Sequence, residues 1–370
     1  MPKKAVFIAA TGQDVGKTTI CLGIIAALRK RYSRVGFIKP VGQVHIKIDK
    51  DTMVDKDAVL FKEYFKLPTV YKDMSPVILP KDFTRRYLDG EIGHDELRKK
   101  IRIAYDKVYS ANEYTVVEGT GHVGVGSIVN MNNAQVAAEL GVEMVILVPG
   151  GLGSAHDELA QNIAICEDYG VKIRGIILNQ VIENKRDMLL EYFPKSLKAW
   201  GIPLIGCVPF NRFLNTPTMK DFEILFLTNL ISGDKHHYRH FTRKRLVAGS
   251  LESYLEEELI HNELLITPAS REDIILAFVE RNIRHKKETG KDYEGGLILT
   301  SKNPPSQEII NKLNDIDVPA LYVPLCSYDV MKMITHYKAK IRMEDSSKVE
   351  QAIKIVEENI DFDRLCALSE

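Results

Sequence analysis

Short, unbroken apolar runs alternating with helix-length segments constrain this chain more than any other feature. "KAVFIAA" (4–10), "RVGFIKP" (34–40), "YTVVEG" (114–119), "EMVILVP" (143–149), "IRGIILN" (173–179) and "PLIGCVP" (203–209) read as strands. Their lack of polar alternation suits strands covered on both faces of a parallel sheet. Between them, "KTTICLGIIAALRKRY", "HDELRKKIRIAYDKVYSA", "NAQVAAELG", "SAHDELAQNIAICEDYG" and "NKRDMLLEYFPKSLKAWG" read as helices, with Asn133 and Ser154 as N-caps and Gly141 and Gly170 as stops. The pattern predicts an α/β fold, a doubly wound parallel sheet over residues 1–232. The polar, basic stretch "GDKHHYRHFTRKR" then reads as a linker, 233–245, more a solvated connector than an anion site. Strand–helix alternation resumes on a smaller scale over 246–370, predicting a second, smaller α/β domain with a last helix near 346–359.

Composition narrows the partners. Lys plus Arg and Asp plus Glu both number 50, which leaves no net charge to attract nucleic acid or acidic lipid. No apolar run reaches the roughly 18–20 residues of a membrane span. The opening "MPKKAVFIAATG" fits a first strand better than a signal peptide, because its apolar run is short and enters a polar loop. Cys21, Cys166, Cys207, Cys326 and Cys366 are far apart and odd in number. That pattern favours a reducing, cytoplasmic location over a disulfide framework or a zinc site.

The loop after the first strand, "AATGQDVGKTT", carries the chemistry. It approaches the phosphate-binding pattern G-x-x-x-x-G-K-[ST], with Thr11 where the first glycine belongs. Such a loop needs backbone N–H groups turned inward, a lysine for the β- and γ-phosphates, a hydroxyl for Mg²⁺, and a helix N-terminus facing the charge. Gly12 and Gly16 provide tight backbone, Lys17 the charge and Thr18 the hydroxyl. Thr11 is tolerated if its φ is negative. The nucleotide-binding segment is therefore Thr11, Gly12, Gln13, Asp14, Val15 and Gly16, continuing through Lys17, Thr18 and Thr19. A second glycine-rich segment, "GTGHVG" (119–124), matches a dinucleotide fingerprint, yet the next helix begins only near Asn133, too late for that role. The better reading puts Glu118 at the end of its strand beside the loop, where a carboxylate holds Mg²⁺ directly or through water.

In order along the chain, "TGQDVGKTT", "FIKPVG", "KDAVLF", "VVEGTGH" and "GIILNQV" resemble the dethiobiotin-synthetase-like P-loop family. With "SPVILPKDFTRRYLDGEI" they are most similar to the N-terminal part of long phosphate acetyltransferases. "LLITPASREDIILAF" and "EGGLILTSKNPPSQEII" resemble the small DRTGG domain that often follows, with the DRTGG string itself replaced by "ASREDI". The resemblance implies ATP and Mg²⁺ as cofactors, Thr18, Asp57 and Glu118 as metal residues, Asn179 at the adenine edge, and Lys39 on a carbamate-type substrate. It also implies a small-molecule partner and a homodimer. Each residue has a plainer alternative. Asp57 can serve a helix start, Lys39 can snorkel from a strand end, Asn179 can cap a turn, His122 can be a loop residue, and Cys21 a small core residue. Because the acetyltransferase catalytic region has no counterpart in the 370 residues, the expectation is a protein that is not a phosphate acetyltransferase. Two uses of the nucleotide stay open. One is a synthetase-like transfer to a carboxylate or carbamate, with Lys17 and Lys39 as catalytic residues. The other is a non-catalytic, nucleotide-sensing regulator that signals through the C-terminal domain.

Overall fold

The computed structural model describes residues 4–49, 52–257 and 260–367. The predicted strands and helices form in order, joined by one helix not predicted, α2: β1 (Lys4–Ala10), α1 (Lys17–Arg29), β2 (Val35–Ile38), α2 (Lys56–Phe65), α3 (His94–Ala111), β3 (Tyr114–Glu118), α4 (Asn133–Leu140), β4 (Met144–Pro149), α5 (Gly153–Asp168), β5 (Ile173–Val181), α6 (Arg186–Leu197) and β6 (Leu204–Pro209). The six strands make one parallel sheet in the order β6-β5-β4-β1-β3-β2. Every residue of β2 and β3 is buried, as strands covered on both faces must be. Register decides what meets at the sheet edge. Ile8 lies opposite Glu118 and Ile38 opposite Val117, so the residue after β2, Lys39, comes level with Glu118.

The chain divides differently from the sequence expectation of 1–232, 233–245 and 246–370. One unit runs to Asn211 and takes in the chain again from Ile341; the other spans Arg212–Lys340. In the second unit β7 (Leu230–Ser232), β8 (Arg243–Leu246), β9 (Glu263–Pro268), β10 (Gly296–Thr300) and β11 (Ala320–Val323) form a sheet in the order β7-β11-β10-β9-β8. Only β7 runs antiparallel to its neighbour. Helices α7 (Met219–Phe226), α8 (Glu272–Thr289), α9 (Gln307–Asp315) and α10 (Ser327–His336) belong to this unit. Alternate residues of β9 enter opposite cores: Leu265 joins Phe278 and Leu313, whereas Leu264 and Ile266 join Phe241 and Val330. The stretch 233–245 is therefore no linker. Phe241 is fully buried against Gly296, Arg239 pairs with Asp292 at 2.6 Å, and Arg243–Leu246 is an edge strand. Its polarity comes from the charged rim of a sheet.

The last two helices, α11 (Ser346–Glu357) and α12 (Phe362–Cys366), complete the first unit. α11 packs on α1 at a point where Gly23 leaves room: a Cβ there would stand 2.2 Å from Val356 Cβ. The segment after it bonds to the outer edge of β6, through Cys207 N–H to Asn359 O (3.1 Å) and Asp361 N–H to Ile205 O (2.8 Å), which covers an otherwise open strand. Two N-caps also differ from expectation. Asn132 caps α4 in a capping box with Gln135, and α5 starts after Leu152 without a side-chain cap. Gly141 ends α4 in the left-handed region, and Gly170 adopts the same conformation past the end of α5. No helix among the described residues is long and apolar enough to cross a membrane.

Gly23→Leu tests the α1–α11 contact. Leucine is the better helix former by nearly 1 kcal/mol, so a net loss must come from the clash. Overpacking of this kind costs about 1–3 kcal/mol, read as a lower denaturant midpoint with an unchanged m-value. A midpoint equal to wild type would show that α11 yields freely.

Candidate functional site

β1 delivers the loop. Thr11 N–H donates to Leu147 O (2.9 Å), extending the strand ladder one residue past β1, and Thr11 is not among the positive-φ residues. Its hydroxyl donates to Glu158 of α5 at 2.9 Å. Positive φ falls instead at Asp14 (56°) and Gly16 (93°). Gly16 is doubly required, because a Cβ would also meet Asn179 Nδ2 at 2.5 Å. Gly12 meets only ordinary contact, with Val15 at 3.5 Å, so sterics alone do not demand glycine there. α1 then begins with neither a side-chain cap nor an acidic residue in its first turn, which leaves its N-terminal dipole for an anion. Gln13 is exposed and Val15 buried beneath the loop; Thr19 follows Thr18 in that first turn.

Asn179 and Gln180, at the end of β5, brace the loop from below. Asn179 Nδ2 donates to Val15 O at 2.6 Å and Gln180 Nε2 to Asp14 O at 3.1 Å. Asn179 thus spends its amide N–H on the loop itself. Lys17 reaches across to the glycine-rich segment, where Nζ donates to Gly121 O at 2.7 Å. Burial lowers the Lys17 pKa, with Glu118 partly offsetting it. The segment 119–126 is a chain of turns and not the start of a helix. Asn133, expected as an N-cap, is its organiser: Oδ1 accepts from Thr120 N–H, and Nδ2 donates to Thr120 O and His122 O. His122 is exposed, and its Nδ1 accepts from Gly124 N–H.

Beside the loop lies a charge cluster. Glu118, 1% exposed, accepts from the Thr18 hydroxyl at 3.3 Å. Lys39 is 7% exposed, so it sits under the rim and does not project from it as an acceptor-binding residue would. Its Nζ lies 3.0 Å from Asp55 Oδ1 and 3.7 Å from Glu118 Oε1, and it hydrogen-bonds Asp57 Oδ2. Burial alone would lower the Lys39 pKa; Asp57, Glu118 and Asp55 reverse that and raise it. Asp55, missed in the sequence, is fully buried and caps α2 by accepting from Asp57 N–H at 2.9 Å. An Asp two residues ahead of Asp57 at a helix start was the available signal. Cys21 is buried in α1, where burial and then the charge of Glu118 push its thiol up.

Mg²⁺ suits this donor set. Asp55 Oδ2 and Glu118 Oε2 are buried without a hydrogen-bond partner, and hydroxyl and carboxylate oxygens are the ligands a hard cation takes. Among the described residues no group of three or more His, Cys, Asp or Glu side chains is arranged as a metal cage. Mg²⁺ normally completes its shell with water and substrate phosphate.

With the loop, its lysine and the carboxylates on one edge of a parallel sheet, the first unit is a P-loop nucleotide-binding domain. The chain belongs to the AAA domain family AAA_26, which matches residues 4–218, and a DRTGG domain matches residues 227–337. It is similar to phosphate acetyltransferase from Pseudomonas aeruginosa, 29% identical over 97% of this chain and 51% of that protein. The Pseudomonas putida phosphate acetyltransferase is 28% identical over 96% and 50%. These relatives overturn the expectation of a protein that is not a phosphate acetyltransferase. That expectation rested on chain length, and the chain spans about half the length of the curated relatives it matches. The ATP-dependent dethiobiotin synthetase BioD of Bacillus cereus is 24% identical over 55% of this chain and 82% of its own. Among solved structures, cobyrinic acid a,c-diamide synthase from Mycobacterium smegmatis with bound ADP and magnesium aligns with TM-score 0.39 at 16% identity, over 57% of this chain and 88% of that one.

Burial pushes the Glu118 carboxyl up to about 8, with Lys39 holding it partly back. The folded chain then keeps a proton that the unfolded chain releases near its ordinary value of 4.5. Because the native state binds more protons in that window, nucleotide-free stability falls as pH rises through it. Glu118→Gln should flatten this slope in denaturant melts taken across the same range. An unchanged slope would mean that Glu118 is ionised throughout.

Proposed function

We propose that the first unit binds ATP with Mg²⁺ and acts as a nucleotide-sensing element of a protein in the phosphate acetyltransferase lineage. The convergence of Lys17, Thr18 and Glu118 at the end of β1 and β3 carries the nucleotide part of this reading. Backbone N–H groups from Thr11 to Thr19 would cradle the phosphates, and Lys17 would exchange its carbonyl partner for phosphate oxygens. Thr18, Asp57 and Glu118 would hold Mg²⁺, which supplies charge neutralisation at the phosphates. Asn179 serves by fixing the loop; contact with the adenine edge would need its remaining carbonyl oxygen.

The enclosure of Lys39 supports sensing over a synthetase-like transfer. Its ammonium faces three carboxylates of the protein itself, so it offers little to an incoming carboxylate or carbamate. The similarity to phosphate acetyltransferases over nearly the whole chain supports a regulatory role beside acetyl transfer. A small-molecule effector and a homodimer belong to this reading. So does a cytoplasmic location, which four buried free thiols of five favour.

Calorimetry with ATP and Mg²⁺ tests it. Lys17→Ala removes charge-assisted hydrogen bonds of about 1.5–3 kcal/mol and should weaken binding about 10- to 100-fold. Equal affinity in the variant overturns the nucleotide site. Phosphate release should stay flat as carboxylic and amino acids are added one by one. Turnover that appears with a single compound would favour the synthetase instead.

A further inference from the structure

We propose that Lys39 is an internal counter-ion that occupies the carboxylate cluster until a nucleotide arrives, so that the site takes up a divalent cation only together with nucleotide. The inference rests on the Mg²⁺-nucleotide reading for what displaces Lys39, and on the geometry alone for what Lys39 does beforehand.

Three carboxylates from two elements surround one ammonium. Asp55 and Asp57 come from the start of α2, and Glu118 from the end of β3. Lys39 touches all of them while almost wholly buried, and its own N–H is tied to Met74 O at 2.8 Å. The backbone therefore fixes where the side chain starts, and its ammonium ends among the carboxylates with little exposure to water. Acceptors in the cluster still exceed donors, since one oxygen each of Asp55 and Glu118 has no hydrogen-bond partner. The cluster therefore has capacity for more cation.

A free divalent ion is poorly placed to use that capacity. It would have to shed water and compete with an ammonium already seated between the carboxylates. The lack of a ready metal cage among the described residues agrees with this. A nucleotide changes the balance, because its phosphates bring negative charge and further oxygen ligands to the loop side. Asp57 and Glu118 can then turn to the metal while Lys39 keeps Asp55. Asp55 suits that lasting partnership: it is fully buried and pinned by capping α2, and Gly42 leaves it room, since a Cβ there would stand 2.7 Å from Asp55 Oδ2. Lys39 and Asp55 are thus positioning residues for the metal ligands.

Mn²⁺ binding, followed by electron paramagnetic resonance without nucleotide, tests the proposal. Wild type and Lys39→Arg, which keeps the charge, should bind Mn²⁺ alone weakly. Lys39→Met, checked for folding by circular dichroism, should bind it about 10-fold or more tightly, because the competing charge is gone. If Lys39→Met does not fold, Lys39→Met with Asp55→Asn removes one charge of each sign and carries the same expectation through Asp57 and Glu118. Equal Mn²⁺ affinity in wild type and the folded Met variant overturns the proposal. ATP affinity with Mg²⁺ present is measured in parallel. Failure to bind ATP would end the nucleotide reading, whereas a gain of Mn²⁺ in the Met variant would still establish Lys39 as the counter-ion.

Discussion

One buried ammonium, that of Lys39, holds together the part of the first unit on which its chemistry depends. Three carboxylates placed this close would repel one another strongly in a low-dielectric interior. With Lys39 between them, the start of α2 can lie against the ends of β2 and β3, and that contact fixes Glu118 within reach of the Thr18 hydroxyl. The parallel register supplies the rest, because it brings the residue after β2 level with the last residue of β3. An ion cluster of this kind is weak evidence for stability. Its value lies in specifying one arrangement of chain segments that are far apart in sequence.

Much of this was legible beforehand, and for identifiable reasons. Strands buried on both faces leave unbroken apolar runs, so β1 to β6 could be read off directly, and α3 matched to the residue. Gly16 and Lys17 sit in a pattern whose physical requirements are local. Glu118 stood out because a carboxylate ending an apolar strand needs a reason to be there. What escaped depended on tertiary pairing. Asp55 is marked in the sequence only by its place at a helix start, not by its burial against Lys39. Lys39 stood at the end of an apolar strand, but sequence does not tell that three carboxylates converge on it. Asn133 sits at a helix start, yet its amide serves the preceding loop, and Asn132 takes the capping task.

Domain boundaries misled for a different reason. A basic, histidine-rich stretch resembles a linker because charged rims and linkers share a composition; the buried Phe241 was the lone contrary sign. The apolar stripe of α11 shows that this helix must pack somewhere, without naming its partner. Gly23, unusual in the interior of α1, was the signal that another backbone comes close.

The return of the chain to the first unit has a consequence for the order in which the protein is made. β1 to β6 leave the ribosome first, but the helix that covers the Gly23 face of α1 and the segment that closes the edge of β6 come only after the whole of Arg212–Lys340. At roughly 5–20 residues per second, that interval lasts on the order of 10 s. During it the nascent first unit carries an uncovered helix face and an open strand edge, both prone to wrong partners, while the second unit can already close its own two cores. Synthesis therefore finishes the domain that was inserted before the domain that received it.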